Sequence, residues 1–322
     1  MTVNVSAVRP VTVLATGGTI LTSSRDGLVD TDVEDIPTFS GPDLEIHFEK
    51  LMAKPGRDLT LEDLVFVARR AEQLATSGNP VVVVHGTDTL EETAYLLALT
   101  IQPGVPVVVT GAMRRVDDPG PDGPANLAAA IAVAQSRITR HAGPVVVMND
   151  EIHSSFWARK GHSTSPSTFT SAPAGPIGAI VEGRPELWMT PDHDPYLGPV
   201  VPMPHRVPVV HVSVGLTPDL LPDSNHIDGV VIAGTGGGHV PSTLVEWIDT
   251  LIEERKPVVI GTRVAEGRTL TATYGGPGSE QDLLHRGCVG TGYLSVVKAR
   301  LRLLYCLACG KPSAEAFQRE SS

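Results

Sequence analysis

Four short runs rich in valine alternate with segments whose apolar residues recur at helical spacing, and this alternation constrains the fold more than any other feature. The runs are Val11–Ala15, Val81–Val84, Val107–Thr110 and Val145–Met148. A continuous β-branched run of this length is typical of a strand that is buried on both faces of a sheet. Strand, helix and strand at this spacing predict right-handed crossovers and therefore an α/β fold with a mainly parallel sheet.

The segments between the runs have helical patterns. A first helix is predicted to begin after Thr60, which forms a capping box with Asp63. The residues that share one face of this helix are Leu61, Leu64, Val65, Ala68 and Ala75. Further helices are predicted at residues 90–101 and 126–136.

The alternation weakens in residues 151–187, where Ser, Thr, Gly and Pro dominate. We expect a hairpin or an irregular excursion here rather than further βα units. A proline-dense stretch follows, which cannot form a helix or a central strand. Its prolines are Pro191, Pro195, Pro199, Pro202, Pro204 and Pro208. The pattern predicts an N-terminal domain at residues 1–187, a linker at 188–207 and a C-terminal domain at 208–322.

The C-terminal domain is predicted to be a smaller α/β unit. Its strand-like runs lie at residues 209–214, 229–233 and 257–261, and its helical patterns lie at residues 241–254 and 295–309. Gly310 closes the last helix, as glycine commonly does.

The composition restricts the class of partner. The chain has 322 residues, enough for two cores, and its 41% hydrophobic and 19% charged residues are typical of a globular protein. The formal net charge is -11, which argues against nucleic acid as a partner. No stretch approaches the roughly 20 apolar residues of a membrane span, and no signal-peptide pattern opens the chain. We therefore expect a small-molecule partner, with no membrane attachment.

The three cysteines all follow residue 287 and are too few for a disulfide framework, which favours a cytoplasmic location. Cys306 and Cys309 form a C-x-x-C within the predicted last helix. We interpret them as two small core residues, because no second pair exists to complete a zinc site. A redox or metal role is the alternative.

Two tight turns each place a threonine directly after a strand-like run. Residues 15–20 (Ala-Thr-Gly-Gly-Thr-Ile) follow the first run, and residues 85–89 (His-Gly-Thr-Asp-Thr) follow the second. Strand ends in an open α/β sheet face the ligand crevice, so hydroxyl groups from two strands can meet on one small molecule. The pair of turns points to nucleophilic catalysis by threonine.

Thr19 is the candidate nucleophile. Gly17 and Gly18 permit a close backbone approach, and the turn exposes N–H groups beside the hydroxyl. Such an enzyme must also supply a base and donors for the developing oxyanion. The alternative for Thr19 is structural, as a cap of the segment that follows a simple tight turn.

Thr87 and Asp88 lie where a strand end meets a helix N-terminus. Asp88 has an alternative role as an N-cap or first-turn acid. A carboxylate beside a hydroxyl can also orient a lysine, and a lysine is a natural base where burial lowers its pKa toward neutrality. Lys160 is the candidate, because the stretch after Val145–Met148 can fold back over the same crevice.

In order and separation, these two turns resemble the signature motifs of the bacterial-type L-asparaginase family, and the second continues with residues 90–94 (Leu-Glu-Glu-Thr-Ala). Further stretches similar to that family lie at residues 111–114 (Gly-Ala-Met-Arg), 122–127 (Asp-Gly-Pro-Ala-Asn-Leu), 147–150 (Val-Met-Asn-Asp) and 298–300 (Lys-Ala-Arg). The resemblance covers nearly the whole chain, and several motifs in the right order make it specific.

The resemblance implies an amidohydrolase with a larger flavodoxin-like N-terminal domain and a smaller C-terminal α/β domain, assembled as a homo-oligomer, either a dimer or a tetramer. It makes Thr19 the attacking hydroxyl that forms an acyl-enzyme and releases ammonia. Thr87, Asp88 and Lys160 form a second catalytic group, in which the lysine accepts the proton and Asp88 contacts the substrate's amino group. Residues 167–169 lie at the family's distance from its lysine, which supports Lys160. Ala112 is a substrate-binding candidate, and neither a metal nor an organic cofactor is expected.

Two departures from the family concern the substrate-binding loops of the N-terminal domain. The segment 21–39 is short and lacks the tyrosine that the family carries in a mobile loop; its acids Asp26 and Asp30 are interpreted as solvated. Before the first predicted helix, Gly56 and Arg57 stand where the family has a serine followed by a polar residue. Arg57 suits a carboxylate if it points inward, and the alternative is that it faces solvent.

A third departure lies at residues 234–239 (Gly-Thr-Gly-Gly-Gly-His). This run is not the dinucleotide fingerprint G-x-G-x-x-G, because His239 occupies the last glycine position. His239 stands where the family presents an asparagine to the neighbouring subunit's site, and Glu280 approximates an acid contributed across the same interface. Both are substrate-binding candidates, and the other histidines have no metal-ligand spacing.

Three hypotheses follow. The first is an L-asparaginase that converts L-asparagine to L-aspartate and ammonia. The second keeps the fold and the nucleophile but acts on a different amide or acyl compound, as the altered substrate positions allow. The third is a non-catalytic amino-acid-binding homologue, which the retention of both threonines, the aspartate and the lysine disfavours.

Overall fold

The chain divides into two compact units, Met1–Val200 and Val201–Ser322. The structure is a computed structural model that describes residues 10–19, 45–136, 139–190 and 196–321, the last four of these as backbone only. Each unit has its own sheet and its own core, which confirms the predicted α/β class with a large sheet and a smaller one.

The sheet of the first unit has, within the described residues, the strand order β10-β9-β6-β5-β4-β3-β1-β2. Its strands are β1 (Val11–Ala15), β2 (Ile46–Lys50), β3 (Val81–Val84), β4 (Val107–Thr110), β5 (Val145–Met148), β6 (Glu151–Ser154), β9 (Gly178–Val181) and β10 (Arg184–Leu187). A separate ribbon pairs β7 (Arg159–Lys160) with β8 (Phe169–Thr170). The strands from β1 to β5 pair in parallel, as their valine-rich runs predict.

The segment 151–187 contains no βα unit, and it does contain a hairpin, β9 with β10. What the sequence pattern did not predict is that β6, β9 and β10 extend the large sheet with antiparallel pairing. The reversal from β5 to β6 uses Asn149 and Asp150, both with positive φ (52° and 61°). Asn and Asp tolerate this left-handed region better than most residues, so the turn fits its sequence.

In the described part of the first unit, the α-helices are α1 (Leu61–Thr76), α2 (Leu90–Thr100) and α3 (Gly123–Gln135). The capping box before α1 is confirmed: the Asp63 N–H donates to Thr60 Oγ1, and the Thr60 N–H donates to Asp63 Oδ2. The core forms where α3 covers the valine-rich strands. Its fully buried members include Val13, Val82, Val108, Val147, Ala130 and Val133.

The second unit holds a parallel sheet with the order β11-β12-β13-β14 in the part of the chain that is described. Its strands are β11 (Val209–His211), β12 (Val230–Gly234), β13 (Val258–Thr262) and β14 (Val289–Gly290), and its helices are α4 (Val245–Glu253), α5 (Glu280–His285), α6 (Val296–Cys309) and α7 (Ser313–Ser321). Gly310 ends α6 in the left-handed conformation, with φ 62°, as predicted. The pattern at 241–254 begins as a 3-10 turn, Ser242–Leu244, before α4.

The register of the large sheet brings several strand ends together. Ala15 pairs with Val84, and Val84 pairs with Thr110, so β1, β3 and β4 end at one edge. The turns that follow these strands therefore begin side by side. Among the described residues, no helix is both long and apolar enough to cross a membrane.

Candidate active site

The two threonine turns pack against each other, backbone to backbone. Gly18 has φ +98°, and a methyl carbon placed on it would lie 2.6 Å from both the Cα and the N of Gly86. That separation is far below any real carbon contact, so this position accommodates only glycine. Thr19 and Thr87 directly follow these two touching glycines, which brings their segments together at the edge where β1 and β3 end.

The base of the first turn is fixed to the neighbouring strand. The Thr16 hydroxyl donates to the carbonyl of Val84 at 3.0 Å, and the Thr16 N–H donates to the same oxygen. Thr19 itself is partly buried and ends the described part of this segment. The segment 21–39, with Asp26 and Asp30, lies outside the described residues.

A third segment, residues 54–58, closes against both turns. The backbone of Gly56 is buried, and its carbonyl accepts a 3.0 Å hydrogen bond from the Thr89 hydroxyl. A methyl carbon on Gly17 would lie 2.6 Å from the Lys54 carbonyl oxygen, so this loop and the first turn are in contact. Lys54 in turn donates to both oxygens of Asp63 at 2.8 Å. The capping box of α1 therefore also anchors the loop that borders the site.

Lys160 reaches the second turn from the β7–β8 ribbon. Its Nζ donates to Thr87 Oγ1 at 3.0 Å and to Asp88 Oδ1 at 2.7 Å. Lys160 pairs with Phe169 across the ribbon, which explains why the stretch 167–169 accompanies the lysine at a fixed distance. Thr87 is 7% exposed, whereas the side chain of Asp88 is 59% exposed. The structure thus brings three of the four predicted catalytic side chains, those of Thr87, Asp88 and Lys160, into one hydrogen-bonded group. The carboxylate of this group is exposed to solvent.

His85 is a support of this site that the sequence reasoning missed. Its ring is fully buried; Nδ1–H donates to the Gly86 carbonyl at 2.7 Å, and the Thr93 hydroxyl donates to Nε2 at 2.9 Å. Burial lowers the pKa of His85 to about 4, although the bond to Gly86 opposes this shift. The neutral ring therefore fixes the peptide that joins Gly86 to Thr87. Its position at the end of a buried strand was the available signal.

Asp122 and Asn126 hold the loop after β4, which carries the fully buried Ala112. The N–H groups of Met113 and Arg114 donate to the Asp122 carboxylate at 2.8–3.1 Å. Asn126 donates to the Gly111 carbonyl at 3.0 Å and accepts from the Asn149 N–H at 2.9 Å. These two side chains, one helical turn apart at the start of α3, tie the ends of β4 and β5 together. The sequence showed them only as part of a motif.

The Arg57 side chain is 74% exposed, and its Nε lies 3.9 Å from Asp58 Oδ2. An exposed pair at this separation is a weak interaction. Arg57 therefore belongs to the third segment of the site, but its guanidinium is not enclosed by the described residues around it.

His239 and Glu280 form a cluster within the second unit. The Nε2–H of His239 donates to Glu280 Oε2 at 2.9 Å, and the ring packs edge-on against Tyr274. Burial acts to raise the pKa of Glu280, but backbone hydrogen bonds, led by the one from the Tyr274 N–H, and the bond from His239 outweigh it and lower the pKa. The two residues predicted as substrate contacts are thus bonded to each other. Among the described residues, no cluster of His, Cys, Asp and Glu could hold a metal.

Comparison with known proteins identifies the family to which the chain is similar. Residues 10–192 match the family model described as Asparaginase, N-terminal, and residues 206–319 match the Glutaminase/Asparaginase C-terminal domain. The two matches together span most of the chain and follow the same order as the two units.

Named relatives agree. The chain is 35% identical to the probable L-asparaginase of Deinococcus radiodurans, over 92% of this chain and 92% of that protein. It is 30% identical to L-asparaginase 2 of Escherichia coli, over 92% of this chain and 88% of that protein. It is 29% identical to the probable periplasmic L-asparaginase of Haemophilus influenzae, with 92% and 88% covered. The chain therefore belongs to the asparaginase family and is an asparaginase-like amidohydrolase.

Proposed function

We propose that the protein hydrolyses L-asparagine to L-aspartate and ammonia, with Thr19 as the nucleophile. The observation that carries this proposal is the contact between Gly18 and Gly86, which places Thr19 in a turn adjoining the group of Thr87, Asp88 and Lys160. A threonine hydroxyl needs a base close by, and that group supplies one. The relatives' names supply the substrate.

In the proposed first step, the Thr19 oxygen attacks the side-chain amide carbon of asparagine and loses its proton toward Lys160, in its amine form, through the Thr87 hydroxyl. Backbone N–H groups of the two glycine-containing turns are the candidate donors for the oxyanion that develops. Collapse of the tetrahedral intermediate breaks the C–N bond. The amide nitrogen takes the proton that Lys160 accepted and leaves as ammonia, which returns the lysine to its amine form. An aspartyl ester of Thr19 remains.

In the second step, water attacks the ester carbon while its proton passes to the same hydroxyl and lysine pair. The C–O bond to Thr19 then breaks, the threonine oxygen regains a proton and aspartate leaves. Asp88 Oδ1 accepts a 2.7 Å hydrogen bond from Lys160 Nζ. Because the Asp88 carboxylate is exposed, it is also accessible to the ammonium group of the substrate. Ala112, Gly56 and Arg57 are the further substrate-binding residues that we propose in this unit.

The test uses Thr19→Ala, Thr19→Ser and the control Thr217→Ala, which removes an exposed threonine hydroxyl of the second unit. We expect Thr19→Ala to lower ammonia release from asparagine by roughly 10³-fold or more. Thr19→Ser should retain part of the activity, and Thr217→Ala all of it. Mass spectrometry of quenched wild-type reactions should find an adduct equal to asparagine minus ammonia on the peptide with Thr19. Ammonia release that survives Thr19→Ala would contradict the nucleophile.

A second candidate function keeps this chemistry but changes the amide. The hydrogen-bonded pair of His239 and Glu280 favours it. His239 stands where the family presents an asparagine to the neighbouring subunit's site, so this candidate substrate contact differs from that of the family. Kinetics over a panel of amides, including glutamine and amides that lack the α-amino group, decide between the candidates. A low KM for asparagine supports the first, and a higher kcat/KM for another amide supports the second.

We also infer a cytoplasmic homo-oligomer, a dimer or tetramer, in which His239 and Glu280 face the site of a neighbouring subunit. The free cysteines support the location. Light scattering coupled to gel filtration measures the assembly. Cell fractionation measures the location, and this test is needed because one of the relatives is named as periplasmic.

A further inference from the structure

The second unit contains a cavity of about 340 Å³ at the amino ends of its strands. Its apolar walls are formed by side chains from α4, β13 and α6, chiefly Ile252, Val258, Leu303 and Leu307. This volume falls in the range of pockets that hold small organic ligands. The opposite end of β13, where Thr262 donates to the Gly236 carbonyl, supports the loop that carries His239. The cavity is therefore separate from that cluster.

The rim of the cavity is positively charged. Arg255, Lys256 and Lys311 line it, and no aspartate or glutamate is among the described residues that do so. This sign opposes the balance of the chain, whose net charge is -11. Cys306 lines the cavity too, and burial raises the pKa of its thiol to about 11, so it contributes no negative charge at neutral pH.

Cations often lie near helix C-termini because they cap the last carbonyl groups. Here the backbone already does this. At the end of α4, the N–H groups of Arg255 and Lys256 donate to the carbonyls of Ile252 and Leu251. At the end of α6, the Lys311 N–H donates to the Cys306 carbonyl. At both helix ends, the backbone N–H groups of these residues therefore supply capping hydrogen bonds.

Lys256 and Arg255 differ in how far their side chains are engaged in hydrogen bonds and ion pairs. Lys256 donates to the Ser224 carbonyl and to Glu254 Oε2, both at 2.7 Å. Arg255 is exposed, and within the described part of the chain its guanidinium makes no hydrogen bond or ion pair. It also adopts φ 58°, an unusual value for a residue with a side chain, which is imposed by the reversal after α4. Arg255 thus presents an unused bidentate donor at the mouth of an apolar cavity.

We propose that this cavity binds a small organic anion with an apolar body, of about ten to fifteen non-hydrogen atoms. The anionic group, a carboxylate in the simplest case, pairs with Arg255 and lies near Lys311. The apolar body packs against Leu303, Leu307 and Ile252. The proposal does not depend on the proposed reaction, because none of these residues belongs to the catalytic group.

Octanoate is the probe, and calorimetric titration into the purified full chain is the measurement. Two control ligands carry a similar eight-carbon chain. Octan-1-ol has no charge, and octylammonium has the opposite charge. We expect saturable binding of octanoate at one site per chain, at least about tenfold weaker binding of octanol, and no binding of octylammonium.

Two variants test the location. R255E/K311E reverses the charge of the rim, and its matched control, R140E/R184E, changes net charge equally on exposed arginines of the first unit. Leu307→Trp fills the cavity without changing charge. Octanoate binding should weaken at least about tenfold in R255E/K311E and in Leu307→Trp, and should be unchanged in the control. Thermal melting checks that each variant is folded.

The proposal is overturned if octanoate shows no saturable binding up to roughly 10 mM. It is equally overturned if octylammonium binds as well as octanoate, or if R255E/K311E binds octanoate like the wild type. If R140E/R184E loses octanoate binding to the same degree as R255E/K311E, the ligand is attracted by the overall charge of the protein and not by this cavity.

Discussion

The Nζ atom of Lys160 donates a 3.0 Å hydrogen bond to the hydroxyl of Thr87, although 73 residues separate the two along the chain. The β7–β8 ribbon delivers the lysine, and β3 delivers the threonine. Asp88 accepts a second hydrogen bond from the same nitrogen and fixes the direction of the lysine side chain. A hydroxyl and a lysine held in this way can pass a proton between a nucleophile and the lysine nitrogen.

Lys160→Met should remove that proton transfer while it keeps an unbranched side chain that is one atom shorter. We expect kcat for amide hydrolysis to fall by roughly 10²- to 10⁴-fold, the range for loss of a general base. The control is Lys50→Met, which removes an exposed lysine of the same unit. Steady-state kinetics should show the loss in kcat for Lys160→Met only. An equal loss in both variants would point to a general effect of charge on the unit.

Gly18→Ala should damage both stability and activity. The new methyl group would meet the Gly86 backbone at 2.6 Å, and φ +98° is unfavourable for alanine. The matched control is Gly175→Ala, with φ +80° and no atom within 4 Å of the added carbon. We expect Gly175→Ala to lose about 1 kcal/mol of unfolding free energy, and Gly18→Ala clearly more, together with most of its activity. Urea unfolding and ammonia release measure the two effects, and similar losses in both variants would contradict the packing of the turns.

Asp122→Asn tests the loop that carries Ala112. The substitution replaces one carboxylate oxygen, which accepts hydrogen bonds, with an NH₂ group, which can only donate. This NH₂ group would face N–H donors of Met113, Arg114 or Asn126. A buried or half-buried donor left without an acceptor costs about 1–3 kcal/mol. We expect kcat/KM to fall about tenfold, because the loop borders the proposed site. The control Asp118→Asn changes a half-buried acid of the same connection, which bonds to Arg115, and should retain activity.

The parallel core of the first unit was predictable because its signal is local. Four valine-rich runs became four strands with the predicted bounds, and the capping box at Thr60 and the closing Gly310 were visible as short patterns. Elements with weaker local signals were missed. β2 is half-exposed and carries charged residues, and α5 spans only six residues, so neither has the length or the apolar pattern that identifies a buried element.

The candidate site was predictable in its residues more than in its geometry. Thr87 and Asp88 are adjacent in sequence, but the arrival of Lys160 depends on the pairing of β7 with β8, a non-local contact of two short strands. The role of His85 depends on two partners, Gly86 and Thr93, that only the folded chain brings to its ring. For Arg57 the sequence left both directions open, and the exposure of its side chain is a property of the packed loop.

The buried ring of His85 should make stability depend on pH. Its pKa is about 4 in the folded chain, against 6.5 for an ordinary histidine, so the unfolded chain binds a proton first as the pH falls. The stability associated with the neutral ring is present above pH 6.5 and is lost progressively as the pH falls toward 4. Between pH 7 and pH 5 the loss amounts to about 2 kcal/mol of unfolding free energy.

His85→Asn removes this titration and keeps an N–H that can donate to the Gly86 carbonyl. The variant should be less stable than the wild type at pH 7, because Thr93 loses its acceptor and the ring leaves a cavity. The difference from the wild type should shrink by about 2 kcal/mol at pH 5, since only the wild type carries the penalty of the neutral ring. Urea unfolding at both pH values measures it, with His141→Asn, an exposed histidine, as the control. A difference that stays constant between pH 7 and pH 5 would mean that His85 titrates in the folded chain as it does in water.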